Sequence, residues 1–227
     1  VMHSQRGQIV LFHSDAQRDS EVRRGNAMIN RGDDAELLDR DALRKLVPYL
    51  DFDSARFPIY GGLLQRRAGT ARHDAVAWGY ARGADERGVD LVQNCEVTGI
   101  DTKNGKVTGV QTSRGVIRAN KVAIVVAGRS SQVASMAGLR LPIESHVLQA
   151  FVTEGLKPCI DHVVSFGMGH FYISQSDKGG LVFGGNIDFY SSYASRGNLP
   201  MKEHVMEAAM TLMPMIGKAK VLRSWGG

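Results

Sequence analysis

Hydrophobic and polar positions along the chain alternate between a two-residue and a helical rhythm. Residues 8–12 (QIVLF) predict a strand, and residues 15–30 a polar helix capped by Ser14 or Asp15. Arg31-Gly32-Asp33-Asp34 is a loop, and residues 36–38 give a short extended piece. Asp39 then caps a helix ending near Leu46, ahead of Pro48. Residues 60–65 form a strand carrying Gly61 and Gly62. From His73 to Arg87 the apolar positions Val76, Ala77, Tyr80, Ala81 and Ala84 recur at helical spacing, and Gly88 ends that helix as a C-cap glycine.

Leu91-Val92 predicts a short buried strand. Residues 97–102, 107–112 and 116–118 alternate as a three-stranded meander, with turns at Asn104-Gly105 and Arg114-Gly115. The continuous apolar run 121–127 (KVAIVVA) suits a central strand covered on both faces. Gly128-Arg129-Ser130-Ser131 turns it into a helix up to Ala137. Residues 147–153, 163–166, 171–175 and 181–184 predict antiparallel strands, with the clearest turn at Asp177-Lys178-Gly179-Gly180. Residues 201–213 form a helix with Val205, Met206, Ala209, Met210 and Met213 on one face, and Val221-Leu222 starts a last strand. There is no internal repeat.

Composition narrows the function classes. The 227 residues are 43% hydrophobic and 22% charged, ordinary for a globular protein. The net charge of +5 is scattered among acidic residues, which argues against a nucleic-acid surface. No apolar run is long enough for a membrane span, and the first residues lack a secretory pattern. Two cysteines, Cys95 and Cys159, read as reduced thiols of a cytoplasmic protein. No spacing of His, Cys, Asp and Glu suggests a metal, and no serine or cysteine sits in a nucleophile motif.

Five stretches carry a resemblance. They are Ser4-Gln5-Arg6-Gly7, the run 65–97 around Arg72-His73-Asp74, Leu141-Pro142-Ile143-Glu144-Ser145-His146, Tyr172-Ile173-Ser174-Gln175-Ser176-Asp177-Lys178-Gly179, and Trp225-Gly226-Gly227. In this order they resemble the beta subunit of the heterotetrameric sarcosine oxidases, a branch of the FAD-dependent amine oxidoreductases. The resemblance implies an α/β fold of mixed α+β character. Part of an FAD-binding Rossmann-like domain (73–137) would be interleaved with an antiparallel-sheet substrate domain (1–72 with its helices, and 138–227 returning toward the FAD domain). It implies oxidative demethylation of sarcosine to glycine with production of hydrogen peroxide. The implied cofactors are non-covalent FAD and FMN attached covalently to His73. The implied partners are other sarcosine oxidase subunits, a small amino-acid substrate, and tetrahydrofolate on a partner subunit.

The same resemblance nominates residues. His73 would carry the FMN, and a helix start suits a neutral imidazole because its dipole opposes positive charge; otherwise it is a helix N-terminal residue pointing at solvent or hydrogen-bonded to the loop. Arg72 would stabilise an anionic flavin during attachment. Arg66 and Arg67 have donor forks matched to a flavin phosphate, or simply form an exposed basic strand end. Val97 would touch the FAD adenine through its backbone. Ala127 and Gly128 would let backbone approach the dinucleotide, or Gly128 is a turn glycine. Tyr172 and nearby His170 would face the substrate, with Phe171 and Ile173 the better core pair on the opposite side, or Tyr172 is simply a tyrosine at the solvent face of an antiparallel sheet. His146 reads equally as a buried strand histidine.

The sequence holds no G-x-G-x-x-G and closes inside a glycine motif, so it is read as an internal piece of a longer subunit. Alone it should hold FAD poorly and expose the apolar surface of 121–127. A scaffold without flavin, or a secondary-amine oxidoreductase using FAD alone, are the competing readings.

Overall fold

In a computed structural model, residues 3–54, 56–166 and 171–227 are described. The first elements follow local sequence closely. Strand β1 (His3–Ser4) is followed by β2 (Gln8–Phe12) and helix α1 (Asp15–Asn30). Ser14 is extended, and its hydroxyl accepts the Gln17 N–H at 3.2 Å, a side-chain N-cap. Strand β3 (Glu36–Asp39) runs into α2 (Arg40–Leu46), where Asp39 accepts the Ala42 N–H at 2.8 Å. Strands β4 (Gly61–Gln65) and β5 (Thr70–Ala71) then lead to α3 (His73–Asp85). Gly88 adopts φ +78, and the Val89 and Gly88 amides donate back to the Ala84 and Asp85 carbonyls, a Schellman ending.

The meander comprises β6 (Val97–Lys103), β7 (Lys106–Thr112) and β8 (Gly115–Arg118). Asn104 (φ 53) and Gly105 (φ 71) make its first turn, the conformation that two-residue hairpins require. After the short helix α4 (Ser130–Ser135) come β9 (Leu148–Gly155), β10 (Val163–Phe166), β11 (Phe171–Gln175) and β12 (Gly180–Ile187). Helix α5 (Leu199–Leu212) and β13 (Val221–Gly226) finish the chain. Asn198 caps α5 by accepting the Met201 N–H at 2.9 Å. No described helix is long and apolar enough to cross a membrane.

The chain divides into two compact units. The first comprises Val1–His73, Val147–Asp188 and Ala194–Gly227. Its sheet has eight strands in the order β13-β9-β12-β11-β10-β2-β4-β3. Every pairing is antiparallel except β10 with β2. One row of register partners, Leu64, Ile9, Val164, Ile173, Phe183 and Phe151, is fully buried. These side chains share one core with Leu43 of α2 and Val205, Ala209 and Leu212 of α5. Each such Leu, Ile or Phe contributes about 1.5–3 kcal/mol relative to exposure. On the other sheet face α1 packs against β2, β3 and β4, and Gly25 allows the helix to approach Leu63. Also on that face, Tyr172 and Trp225 stay 38% and 40% exposed.

The second unit comprises Asp74–His146 and Phe189–Tyr193. Here the sequence expectation needs two corrections. Leu91-Val92 forms no strand and is half exposed, and residues 121–126 form none either, with Val125 88% exposed. A continuous apolar run becomes a central strand only when a ladder partner flanks it, and among the described residues no strand pairs with either segment. Of the apolar run, Val125 and Val126 are exposed, while Val122 and Ile124 are half-buried.

Candidate functional site

Two of the five motif stretches meet in the first unit. Strand β1 pairs with β5 in the register His3↔Ala71 and Ser4↔Thr70, and the Gly7 amide donates to the Ala68 carbonyl at 2.8 Å. Gly69 allows this: a β-carbon there would lie 1.9 Å from the Ser4 carbonyl oxygen. The ladder delivers the chain to His73, the first residue of α3. The His73 ring is exposed and makes no hydrogen bond or ion pair among the described residues. Arg72 and Asp74 beside it are both engaged, Asp74 in part by capping the Ala75 N–H at 2.8 Å.

Arg66 and Arg67 follow β4 in a turn and are exposed. Arg66 is ion-paired with Glu36; Arg67 is paired with Asp34 at 2.7 Å and also donates to the Gly32 carbonyl at 3.0 Å. Surface pairs of this kind contribute about 0–1 kcal/mol each.

Tyr172 lies on β11, where Phe171 and Ile173 are buried and Tyr172 is not. Its face is therefore opposite to the core, as the alternation predicts. Its register partner is Gly184, and partial burial raises the phenol pKa above 10. His170 lies outside the described residues. The same rows of this sheet face carry Ala150, Val152, Arg223 and Trp225. The Arg223 guanidinium stands 5.7 Å from the centre of the Trp225 ring. These two were missed in the sequence; alternation through 221–226 is the signal that could have found them.

In the second unit, Val97 opens β6 opposite Thr112 and is half-buried. Ala127 adopts φ +46, a left-handed conformation that costs strain in any residue with a β-carbon. Gly128 has no such need: its φ is not left-handed, and a β-carbon would meet only the Ser145 hydroxyl at 3.6 Å. His146 is half-buried and has a partner. Two serines not nominated from the sequence link this turn to the segment 143–145: Ser145 donates to the Gly128 carbonyl, and Ser131 to the Ile143 carbonyl.

An open cavity of about 540 Å³ is lined by Arg6, Asp161, Ser176, Asp177 and Lys178, among others. It contains none of the nominated residues. Among the described residues no cluster of three His, Cys, Asp or Glu side chains is arranged to hold a metal ion.

Comparison with known proteins supplies the family. Residues 1–227 match the family described as "DAO: FAD dependent oxidoreductase". The chain is 71% identical over 227 residues to sarcosine oxidase subunit beta of Rhizobium meliloti (strain 1021) and 48% identical to that of Rhodobacter capsulatus. All of this chain is covered in both, but only 55% of each relative. Among solved structures, L-proline dehydrogenase from P. horikoshii shares the fold with a TM-score of 0.89 at 24% identity, over 99% of this chain and 60% of that one. Glycine oxidase from Geobacillus kaustophilus does so with a TM-score of 0.83 at 19% identity, over 100% of this chain and 59% of that one. The resemblance to sarcosine oxidase beta subunits therefore holds along the whole chain, on a mixed α/β framework. The chain belongs to the FAD dependent oxidoreductase family.

Proposed function

We propose that this chain forms part of the flavin-bearing beta subunit of a sarcosine oxidase, a cytoplasmic hetero-oligomer. The observation that carries the reading is 71% identity across all 227 residues with the Rhizobium meliloti subunit beta. The reaction is oxidative demethylation of sarcosine to glycine, ending in hydrogen peroxide, with the released methylene unit captured by tetrahydrofolate on a partner subunit. Residues 73–137 belong to the FAD-binding domain, and 1–72 with 138–227 to the substrate domain. When bound, FAD supplies the hydride acceptor and FMN the route of electrons toward oxygen.

The residues present fit these groups. His73 is exposed and unengaged among the described residues, so its ring nitrogens are accessible for covalent attachment of FMN. Arg72 lies beside it to offset negative charge on the flavin. Arg66 and Arg67 hold weak, exposed ion pairs that a flavin phosphate can replace. Gly128 is not required by the fold, since a β-carbon there meets only one side chain at ordinary contact distance. A glycine there leaves room for close approach of FAD, with Ala127 beside it and Val97 offering backbone to the adenine. Tyr172 supplies a hydroxyl that donates to the substrate carboxylate from the sheet face opposite the core, and His170 precedes it by two residues.

The test is an absorption spectrum of the complete subunit assembled with its partners, before and after acid precipitation. Yellow colour retained in the precipitate supports covalent flavin. A colourless protein supports a scaffold, and colour lost entirely to the supernatant supports FAD alone.

A further inference from the structure

The stretch Leu141-Pro142-Ile143-Glu144-Ser145-His146 has no role in the chemistry above, yet it is tied to the Ala127-Gly128 turn from both sides. The Ser145 hydroxyl donates to the Gly128 carbonyl. The Ser131 hydroxyl donates in the opposite direction, to the Ile143 carbonyl at 2.8 Å. Each segment thus gives one hydroxyl and receives one, a reciprocal clasp. Ser145 is itself fixed, because its carbonyl accepts the Ser192 N–H at 2.8 Å. The Ser130 hydroxyl takes the Ala127 carbonyl at 2.7 Å. Arg129 adds a bond to the Tyr193 carbonyl at 3.2 Å, with its guanidinium 5.4 Å from the Tyr193 ring centre.

Packing does not hold this turn. Residues 125–129 are exposed, and Ala127 sits in a left-handed conformation that must be imposed by its surroundings. Hydrogen bonds to its carbonyls are what define it. We propose that Ser145 and Ser131 are positioning residues for FAD. Ser145 holds the Gly128 carbonyl and Ser131 ties the start of α4 to the Ile143 carbonyl, so that Ala127 and Gly128 keep the backbone conformation against which the dinucleotide packs. The proposal rests on the reading that this turn contacts FAD.

The experiment uses the complete subunit assembled with its partners and stripped of FAD. The FAD dissociation constant is measured by flavin fluorescence for wild type, Ser145→Ala, Ser145→Thr, Ser131→Ala and Gly128→Ala, and the melting midpoint of each apoprotein is recorded. A neutral hydrogen bond lost from each alanine variant should weaken FAD about three- to tenfold. Melting should stay unchanged, and Ser145→Thr should restore affinity. Should Ser145→Ala fail to fold, Ser131→Ala reads the other half of the clasp. Unaltered affinity in both serine variants, with Gly128→Ala weakened, overturns the clasp and leaves the cofactor reading intact. Unaltered affinity in all of them overturns the cofactor reading of the turn as well. A loss that tracks the melting midpoint and is not restored by threonine reduces the serines to structural support and also overturns the proposal.

Discussion

The Tyr172 hydroxyl stands 2.9 Å from the point where a β-carbon on Gly184 would lie. The two residues are register partners on β11 and β12, so the absence of a side chain at Gly184 is what accommodates the phenol. That β-carbon would also meet the Gln149 backbone oxygen at 2.5 Å, and backbone cannot swing aside. Gly184→Ala should therefore destabilise the complete subunit by about 1–3 kcal/mol, the usual cost of overpacking. Thermal denaturation checks this; an unchanged midpoint would show that the sheet absorbs the methyl group.

Tyr172→Phe separates the hydroxyl from the ring. A hydrogen bond to a charged carboxylate is worth about 1.5–3 kcal/mol, so sarcosine binding should weaken about ten- to a hundredfold. Stability should change little, because the half-exposed ring is retained. Steady-state kinetics with sarcosine checks it: KM and kcat both equal to wild type would put Tyr172 outside the substrate site.

His13 predicts a pH dependence. It is 3% exposed, its ring stacks on Phe166 at 6.0 Å, and its Nδ1 lies 3.0 Å from the Pro58 carbonyl. A carbonyl only accepts, so Nδ1 carries the proton, and Nε2 is left buried without a partner among the described residues. Burial holds the His13 pKa below its ordinary 6.5, with the Pro58 bond opposing the shift. The folded state thus binds fewer protons than the unfolded one in this range. Stability is full above about pH 6.5 and falls as pH drops through that value toward the folded pKa. His162 is shifted the same way by burial, so the acid limb has two contributors. His13→Asn should make the melting midpoint depend less on pH between about 7.5 and 5.5. An acid limb as steep as wild type would remove His13 from this account.

Much of the fold was legible because local rules decide it. Ser14, Asp39, Gly88 and Asn104-Gly105 each satisfy backbone groups within a few residues, and each forms the cap or turn its sequence predicts. The β11 alternation was equally readable, since Phe171 and Ile173 outcompete Tyr172 for the core. Long-range pairings were not. Nothing near Gln8 announces that β2 will lie parallel to β10, more than 150 residues away, in the register Gln8↔Val163. Residues 121–126 mislead for the converse reason: their composition suits a ladder whose other strands do not pair with them here. At the candidate site, residue type and motif nominate His73, Tyr172 and the Ala127-Gly128 turn. They do not reach Ser131 and Ser145, since a serine bonding to a carbonyl in a segment twelve or seventeen residues away leaves no periodic trace.

The central claim is that His73 bears a covalent flavin, and intact-protein mass spectrometry of the complete subunit, assembled with its partners, tests it most directly. The wild-type subunit should exceed its polypeptide mass by one FMN. His73→Ala should lose that increment while the preparation still yields FAD on denaturation. An FMN adduct of unchanged mass in His73→Ala, or no adduct in the wild-type subunit, would contradict the account.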